Sequence, residues 1–515
     1  MSRAGAVKIA DFGAARELSG PDTGPRVLKT ATASYVSPEQ LNEQRVDGRS
    51  DLFAALAAPQ APSAAARACP GTAAQARGIW DGLPAQQSPI TRTRDEPVRW
   101  GGMTLELRTA RIEDADRLGE VWARAYPGPP GSSVTAASRA ASFRGDPAAI
   151  ESVTIAERGG LLVGIVKTIP FTAWIGGVAT RVGGMASVAV APEARHGGVA
   201  TALVRRHVET LRAARATWSL LYPFSTRFYA RHEWAPAARR LRWQVPPTAL
   251  PLGAERQRVR RVSLELPADR AAIQAAYEQH CIRTNGSLSR SAAQLAALHR
   301  GQFAVAVDGA GGGLAGYLFY SIHAPMERPQ TLVVAEWLAE DGASERALLG
   351  FLSSQRDQIQ IVTIDTAEDY PLDAVLDFGV PDVLGRDVPP EHHPLATVYA
   401  GMMARIIDLG SALRERGYPG TSRGAVAIAV TRDALVPDNV ATLTVAVADG
   451  RGDVAPGRRD GAPLITGPIG ALSAVLIGSL RLDAAHRLGL VTVDGDLPAA
   501  ASVLRLPPPA PLVSF

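Results

Sequence analysis

Between Met185 and Leu211 the chain reads MASVAVAPEARHGGVATALVRRHVETL, and this stretch constrains the fold more than any other. Residues 186–191 alternate as a half-buried strand, Pro192-Glu193 ends the run, and apolar residues at helical spacing begin near Val199. The turn between them holds Arg195, His196, Gly197 and Gly198. Glycine at 197 and 198 lets the backbone approach a ligand with no side chain in the way. The N–H groups of Gly197, Gly198, Val199, Ala200 and Thr201 would then converge at a helix N-terminus. Unpaired donors and the positive end of the helix dipole favour an anion such as a pyrophosphate there. A second glycine run, 309–316, joins two strand-like runs with no helix after it, and reads as a hairpin turn instead.

Around this unit the patterns alternate between periods of 2 and 3.6, which places the chain in the α/β (α+β) class. Strands are expected near 153–157, 160–171, 178–191 and 218–222, with helices near 199–215 and 225–231. A second mixed unit has strands at 303–307, 316–321 and 331–338 and a helix at 345–356. A last unit has strands at 424–430 and 441–447 and helices at 397–416 and 469–478. Before all of these, residues 54–102 are rich in Ala, Pro, Gln and Arg without a sustained period, and read as disordered linker. The expected division is 1–53, linker 54–102, then three domains at 103–247, 248–393 and 394–515.

Charge and composition exclude several roles. Of 54 basic residues only Lys8, Lys29 and Lys167 are lysine, and the net charge is +4 over 515 residues. No arginine-rich run is interleaved with aromatics for base stacking, so no nucleic-acid partner is expected. The longest apolar stretch, near 469–480, falls short of the about 20 residues that span a bilayer. The N-terminal MSRAGAVKIADFG has no apolar leader, and two cysteines, Cys69 and Cys281, make no disulfide framework. A cytoplasmic protein without a membrane partner is the expectation. Glu391-His392-His393 lies in a Pro-rich loop and reads as exposed linker, so no metal is expected.

Two resemblances follow. VKIADFGAAREL, KTATASYVSPEQ and VDGRSDLF, all within residues 1–53, resemble the activation segment of a bacterial Ser/Thr protein kinase. Asp11-Phe12-Gly13 matches the magnesium-binding triplet, Ser37-Pro38-Glu39 the segment's end and Thr32 the substrate-facing threonine. Phosphoryl transfer also needs a glycine-rich cover, a strand lysine and a catalytic loop ahead of that triplet. Only ten residues precede Asp11, so no kinase activity is expected.

Arg195-x-x-Gly198-x-Ala200, after a Val-Ala-Val strand, resembles the R/Q-x-x-G-x-G/A signature of GCN5-related N-acetyltransferases (GNAT). Residues 103–515 further resemble the enhanced intracellular survival (Eis) family, through YPFSTRFYARHEWAPAARRLRW, RIIDLGSALRERGYPG, DALVPDN and GPIGALSAVLIGSL. The resemblance implies tandem GNAT folds plus a C-terminal sterol-carrier-like α+β domain. It implies an N-acetyltransferase using acetyl-CoA on primary amines: aminoglycoside-like compounds, polyamines or protein lysines. Val188, Ala189, Val190 and His196 to Thr201 would hold acetyl-CoA, with Phe224 and Ser225 flanking it. Tyr229 would be the general acid, and the carboxylate of Phe515 the general base. One cofactor per chain and a homohexamer are implied.

The chain departs from the family in two places. His196-Gly197 stands where the family carries a more arginine-rich turn, and His232-Glu233-Trp234-Ala235 where it has Phe-Gly-Tyr-Gly. Losing that glycine would be expected to shift the helix of Tyr229. A degraded cofactor site would leave a different kind of protein, a non-catalytic scaffold.

Overall fold

The computed structural model describes residues 98–100, 103–126, 135–324, 329–377 and 395–512. The kinase-like segment, all of the expected linker up to residue 97, Glu391-His392-His393 and Phe515 lie outside the described residues.

β1 (Met103–Thr109) leads into α1 (Ala115–Ala125) and α2 (Ala136–Gly145). A meander of β2 (Val153–Arg158), β3 (Leu161–Ile175) and β4 (Val178–Val190) follows. Then α3 (Val199–Ala213) crosses back to β5 (Trp218–Leu221) and the short α4 (Thr226–Ala230). β3 and β4 turn at Gly176-Gly177, both at positive φ. A Cβ at Gly176 would stand 2.6 Å from the Gly417 carbonyl oxygen, so only glycine lets the C-terminal part of the chain pack there.

The second part opens with β6 (Arg239–Val245) and β7 (Val259–Val262), then α5 (Pro267–Arg283), β8 (Ser287–Leu288) and α6 (Ala292–Leu298). Next come β9 (Phe303–Asp308), β10 (Leu314–His323), β11 (Thr331–Ala339), α7 (Gly342–Ser353), β12 (Ile361–Ala367) and β13 (Thr397–Ala400). The glycine run at 309–316 turns the β9–β10 hairpin. The last part holds β14 (Met403–Ile406), α8 (Leu409–Glu415), β15 (Gly424–Val430), β16 (Thr442–Ala448), β17 (Arg451–Pro456) and β18 (Leu464–Gly467). It ends with α9 (Ile469–Ile477), α10 (Leu482–Arg487), β19 (Thr492–Asp494) and α11 (Leu497–Leu504).

Three sheets result. The first runs Val98–Trp100, β1, β2, β3, β4, β5, β14 and Ala235–Pro236, with β8 paired to β3. The second runs β13, β6, β12, β11, β10, β9, β7, and the third β17, β16, β15, β18, β19. Helices cover both faces of the first sheet. α1 buries Leu118, Val121 and Trp122 against Ile155 and Ile165. On the other face α3 buries Val199, Leu203, Val204, Val208 and Leu211 against Leu107, Val163 and Leu221. Each such side chain stabilises by ~1.5–3 kcal/mol when taken from water.

Strand exchange joins the sheets. β6, inside the expected first domain, pairs with β12 in the second sheet, from Val245↔Val362 to Arg240↔Ala367. β14, beyond the expected boundary at 394, pairs with β5 in the first sheet, from Met403↔Leu221 to Ile406↔Trp218. The helix expected over 397–416 is therefore two strands and only one short helix, α8. Thr397, Val398, Tyr399 and Ile406 are β-branched or aromatic, and two strand edges await partners there; tertiary pairing overrides the local pattern. One core cluster draws on all three parts, with Phe171 and Trp218, Tyr277 and Leu288, and Val426, Ile465 and Leu476 in contact. Among the described residues no helix is long and apolar enough to cross a membrane.

Candidate active site

β4 and β5 run parallel and pair only from Val182↔Trp218 to Met185↔Leu221. Beyond that point β4 continues to Val190, while the chain leaves β5 through Tyr222 and Pro223. The strands part, and one edge of β4 opens into a crevice. β4 also carries one extra residue there: Ile165 faces Ala189 but Lys167 faces Ala186, and Ser187 takes φ 50. The Ala191 N–H bonds the Val163 carbonyl at 2.9 Å. By alternation, Val188 and Val190 turn their main-chain groups toward the crevice, while Ala189 pairs with Ile165 in β3. Tyr126, next after α1, donates its hydroxyl to the Val188 carbonyl at 2.6 Å.

At the end of β4 the expected turn is present. His196 has φ 61, Gly198 is the N-cap of α3 at φ 78, and α3 begins at Val199 without a side-chain cap. The first N–H groups of a helix have no intrahelical partner, so those of Val199, Ala200 and Thr201 point out of this end. Arg158 reaches the turn from β2 and donates to the Gly197 carbonyl at 3.4 Å. A Cβ at Gly197 would stand 3.3 Å from the Ala194 carbonyl oxygen, closer than most such contacts. Arg158 Nε is buried with no hydrogen-bond partner among the described residues. An uncapped helix end, a guanidinium with an orphaned donor and a cradle that a larger residue would crowd all fit a pyrophosphate.

Across the crevice, Ser225 caps α4, its hydroxyl accepting from the Phe228 N–H at 3.3 Å. Phe224 is half-exposed at the strand end, and its ring stands 5.4 Å from that of Tyr229. Tyr229 is buried among Phe224, Phe228 and Trp234. Burial, and then the neighbouring Tyr126 phenol, push its hydroxyl well above the ordinary phenol range, so it is protonated at neutral pH. The structure thus brings the phenols of Tyr126 and Tyr229 together beside the bulge. His232 packs its ring on Phe228, and its carbonyl accepts from Arg405. Glu233 keeps the left-handed turn at φ 68 without glycine, and its carboxylate accepts from the Gly470 N–H at the start of α9. Its carboxylate also accepts from Arg432, so this turn is tied to the C-terminal part.

The C-terminal segment comes close. Arg240 in β6 donates to the carbonyls of Pro511 and Leu512, both at 3.2 Å, and its charge also acts on the Tyr222 phenol. The last described residue is thus held beside Arg240, whose charge reaches Tyr222 just after β5. Tyr126, Arg158 and Arg240 went unread in the sequence. Trp122 and Tyr126 stand one helical turn apart, which marks a shared face but not the strand it meets.

The frame recurs in the second sheet. β11 and β12 pair in parallel only from Thr331↔Ile361 to Val333↔Thr363, and β11 also has an extra residue. Its helix end differs. Asp341 is the N-cap of α7, its carboxylate accepting from the Ser344 N–H at 2.7 Å. A resident carboxylate takes the place an incoming anion would fill. The wedge strand also buries Glu336 against Arg290, Tyr317 and His299.

Comparison with known proteins agrees with this geometry. Residues 106–237 and 284–406 each match an acetyltransferase (GNAT) domain, and residues 409–514 a sterol carrier protein domain. Among solved structures, the chain is similar to a GCN5-related N-acetyltransferase from Anabaena variabilis (TM-score 0.67, 20% identity, covering 80% of this chain and 100% of that one). It is similar to one from Kribbella flavida (TM-score 0.66, 22% identity, covering 80% and 99%). It is also similar to Eis1 from Mycobacterium abscessus (TM-score 0.63, 19% identity, covering 79% and 100%). A stretch of 57 residues is 49% identical to the serine/threonine-protein kinase PknB of Mycolicibacterium smegmatis, but covers only 10% of this chain and 9% of that kinase. The chain is built from two acetyltransferase (GNAT) domains in tandem followed by a sterol carrier protein domain.

Proposed function

We propose that this chain is an acetyl-CoA-dependent N-acetyltransferase acting on primary amines, of aminoglycoside-like, polyamine or protein-lysine type. The observation that carries the reading is one crevice with the parted strands β4 and β5, an uncapped α3 and the protonated Tyr229 on its walls. Acetyl-CoA would supply an activated acyl thioester. The main chain of Val188 and Val190 would bond its pantetheine arm. The N–H groups of residues 197–201, with Arg158, would bind its pyrophosphate. Phe224 offers an apolar wall, and Ser225 holds α4 in place through its cap. Tyr229 would give its proton to the departing sulfur.

A base is needed on the amine side. An α-carboxylate has a reference pKa of about 3.5 and is ionised at neutral pH. The Phe515 carboxylate would take the proton from the substrate ammonium, directly or through water. The path of the tail supports this, since Arg240 fixes Pro511 and Leu512 and the three residues beyond can reach about 10 Å. The same reading makes the protein a cytoplasmic homo-oligomer, a hexamer by family, whose mass light scattering would give.

The test is acetyl-CoA turnover against a panel of amines by the intact chain, Tyr229→Phe and a chain lacking Phe515. Tyr229→Phe is expected to lower kcat by about 10²–10⁴, with cofactor affinity within about twofold. Failure of the intact chain to bind acetyl-CoA in the millimolar range would sink the enzyme reading. Full activity in Tyr229→Phe would remove its acid.

A further inference from the structure

We infer that Asn285 is a positioning residue for the C-terminal segment: with Gly286 it clamps Pro507 to Ala510 and so sets where the terminal carboxylate arrives. The inference rests on the reading of that carboxylate as the base. Asn285 lies between α5 and β8 and is almost wholly buried. Its side chain ties the second part, where it sits, to the other two. Oδ1 accepts from the Gly176 N–H at 3.0 Å, at the β3–β4 turn of the first part. Nδ2 donates to the Ile477 carbonyl at 2.8 Å, at the end of α9, and to the Pro507 carbonyl at 2.7 Å, on the tail itself. Its own main-chain carbonyl accepts from the Ala510 N–H at 2.9 Å.

The tail therefore has a hydrogen bond to one residue at each end of a four-residue stretch. Pro507, Pro508 and Pro509 have fixed φ and no N–H, so the segment is stiff and its direction follows from those two bonds. Two glycines make room for it. A Cβ at Gly286, which has φ 78, would stand 2.5 Å from Pro509 Cβ. One at Gly478, φ 91, would stand 2.6 Å from the Pro507 carbonyl oxygen. Downstream, Arg240 holds the next two carbonyls, at Pro511 and Leu512. Asparagine suits the place because its amide offers one acceptor and two donors, and all three are used. Aspartate would set a carboxylate oxygen against two carbonyls, and alanine would leave Pro507 and Ile477 unpaired.

The experiment compares the full chain with Asn285→Ala, with Ala510→Pro and with the chain lacking Phe515. Ala510→Pro removes the N–H given to Asn285 and sets the ring Cδ against that carbonyl, while leaving the buried Asn285 side chain alone, so it serves if Asn285→Ala fails to fold. Both substitutions are expected to lower kcat about tenfold to a hundredfold, the scale of a small misplacement of a reacting group, with acetyl-CoA affinity within about twofold. The loss should be largest near neutral pH and shrink as pH rises toward the amine's own pKa, because free amine then no longer needs the base. Combined with loss of Phe515, either substitution should add nothing further. A collapse of activity without Phe515 but unchanged kcat in both substitutions would overturn the clamp and leave the base standing. Unchanged activity without Phe515 would overturn the base, and the clamp's role with it.

Discussion

His207 of α3 has no solvent contact and stands between two hydroxyls, Thr168 at 2.8 Å and Ser219 at 2.9 Å. Burial drives its pKa down to about 3, so it is neutral in the folded protein. The unfolded chain binds a proton at about 6.5 that the folded one refuses. The stability His207 permits is therefore complete above that pH and falls as pH drops below it, by up to about 1.4 kcal/mol per unit. His207→Gln, which can serve both hydroxyls without titrating, should flatten the melting temperature against pH between about pH 6.5 and 4. An unchanged acid slope would show that other groups set it. At this scale Ser187 and His196 also matter: both lie on the β4-to-α3 segment at positive φ without being glycine. Such a conformation costs ~1–2 kcal/mol per residue, and its clustering here marks a backbone held for function.

The two GNAT domains differ at one helix end. α3 starts from Gly198 with no side-chain cap, whereas α7 starts from Asp341, whose carboxylate is held below its usual range by the Ser344 N–H. The prediction belongs to that element. Gly198→Asp should place a carboxylate where the second domain has one and raise KM for acetyl-CoA by at least about tenfold. Asp tolerates the left-handed conformation better than most residues, so the melting temperature should move by only a few degrees. KM unchanged in this variant would mean that the pyrophosphate is not held at α3. The turn at 195–201 was legible in the sequence because glycine, strand end and helix start are all local signals. The Asp341 cap was just as local. The Tyr126 contact was not: a tyrosine on an amphipathic helix announces a buried face, while its bond to Val188 depends on how that helix crosses the sheet.

At the scale of the whole molecule the domains are not beads on a string. β14 completes the first sheet from beyond the second, and its Arg405 pairs with Asp433 in full burial, while also reaching the His232 carbonyl and the face of Trp234. Asp433 in turn accepts from the N–H groups of Leu435 and Val436 and from Asn439. Removing one partner of such a pair leaves a charge without compensation, at about 3–5 kcal/mol. Asp433→Ala should therefore lower the melting temperature and weaken catalysis together, since Arg405 braces the loop after Tyr229. Calorimetry on this variant and on the parent checks the point. Separate transitions for the three domains in the parent would contradict a shared core.

What the sequence determined by itself is what neighbouring residues decide: the strand running into a glycine turn and helix, the hairpin at 309–316 and the tyrosine behind β5. What only the tertiary structure decided is partner choice. Nothing in Arg239–Val245 or Met403–Ile406 states which sheet each will join, because a strand's hydrogen-bonding edge is the same whatever its sequence. The same holds for Asn285. As a residue it reads as a turn former after a helix, and it becomes a link between three parts only where Gly176, Ile477 and Pro507 converge on it. Local sequence sets backbone conformation through short-range sterics. Contacts between residues more than a hundred positions apart are set by packing the finished elements against one another.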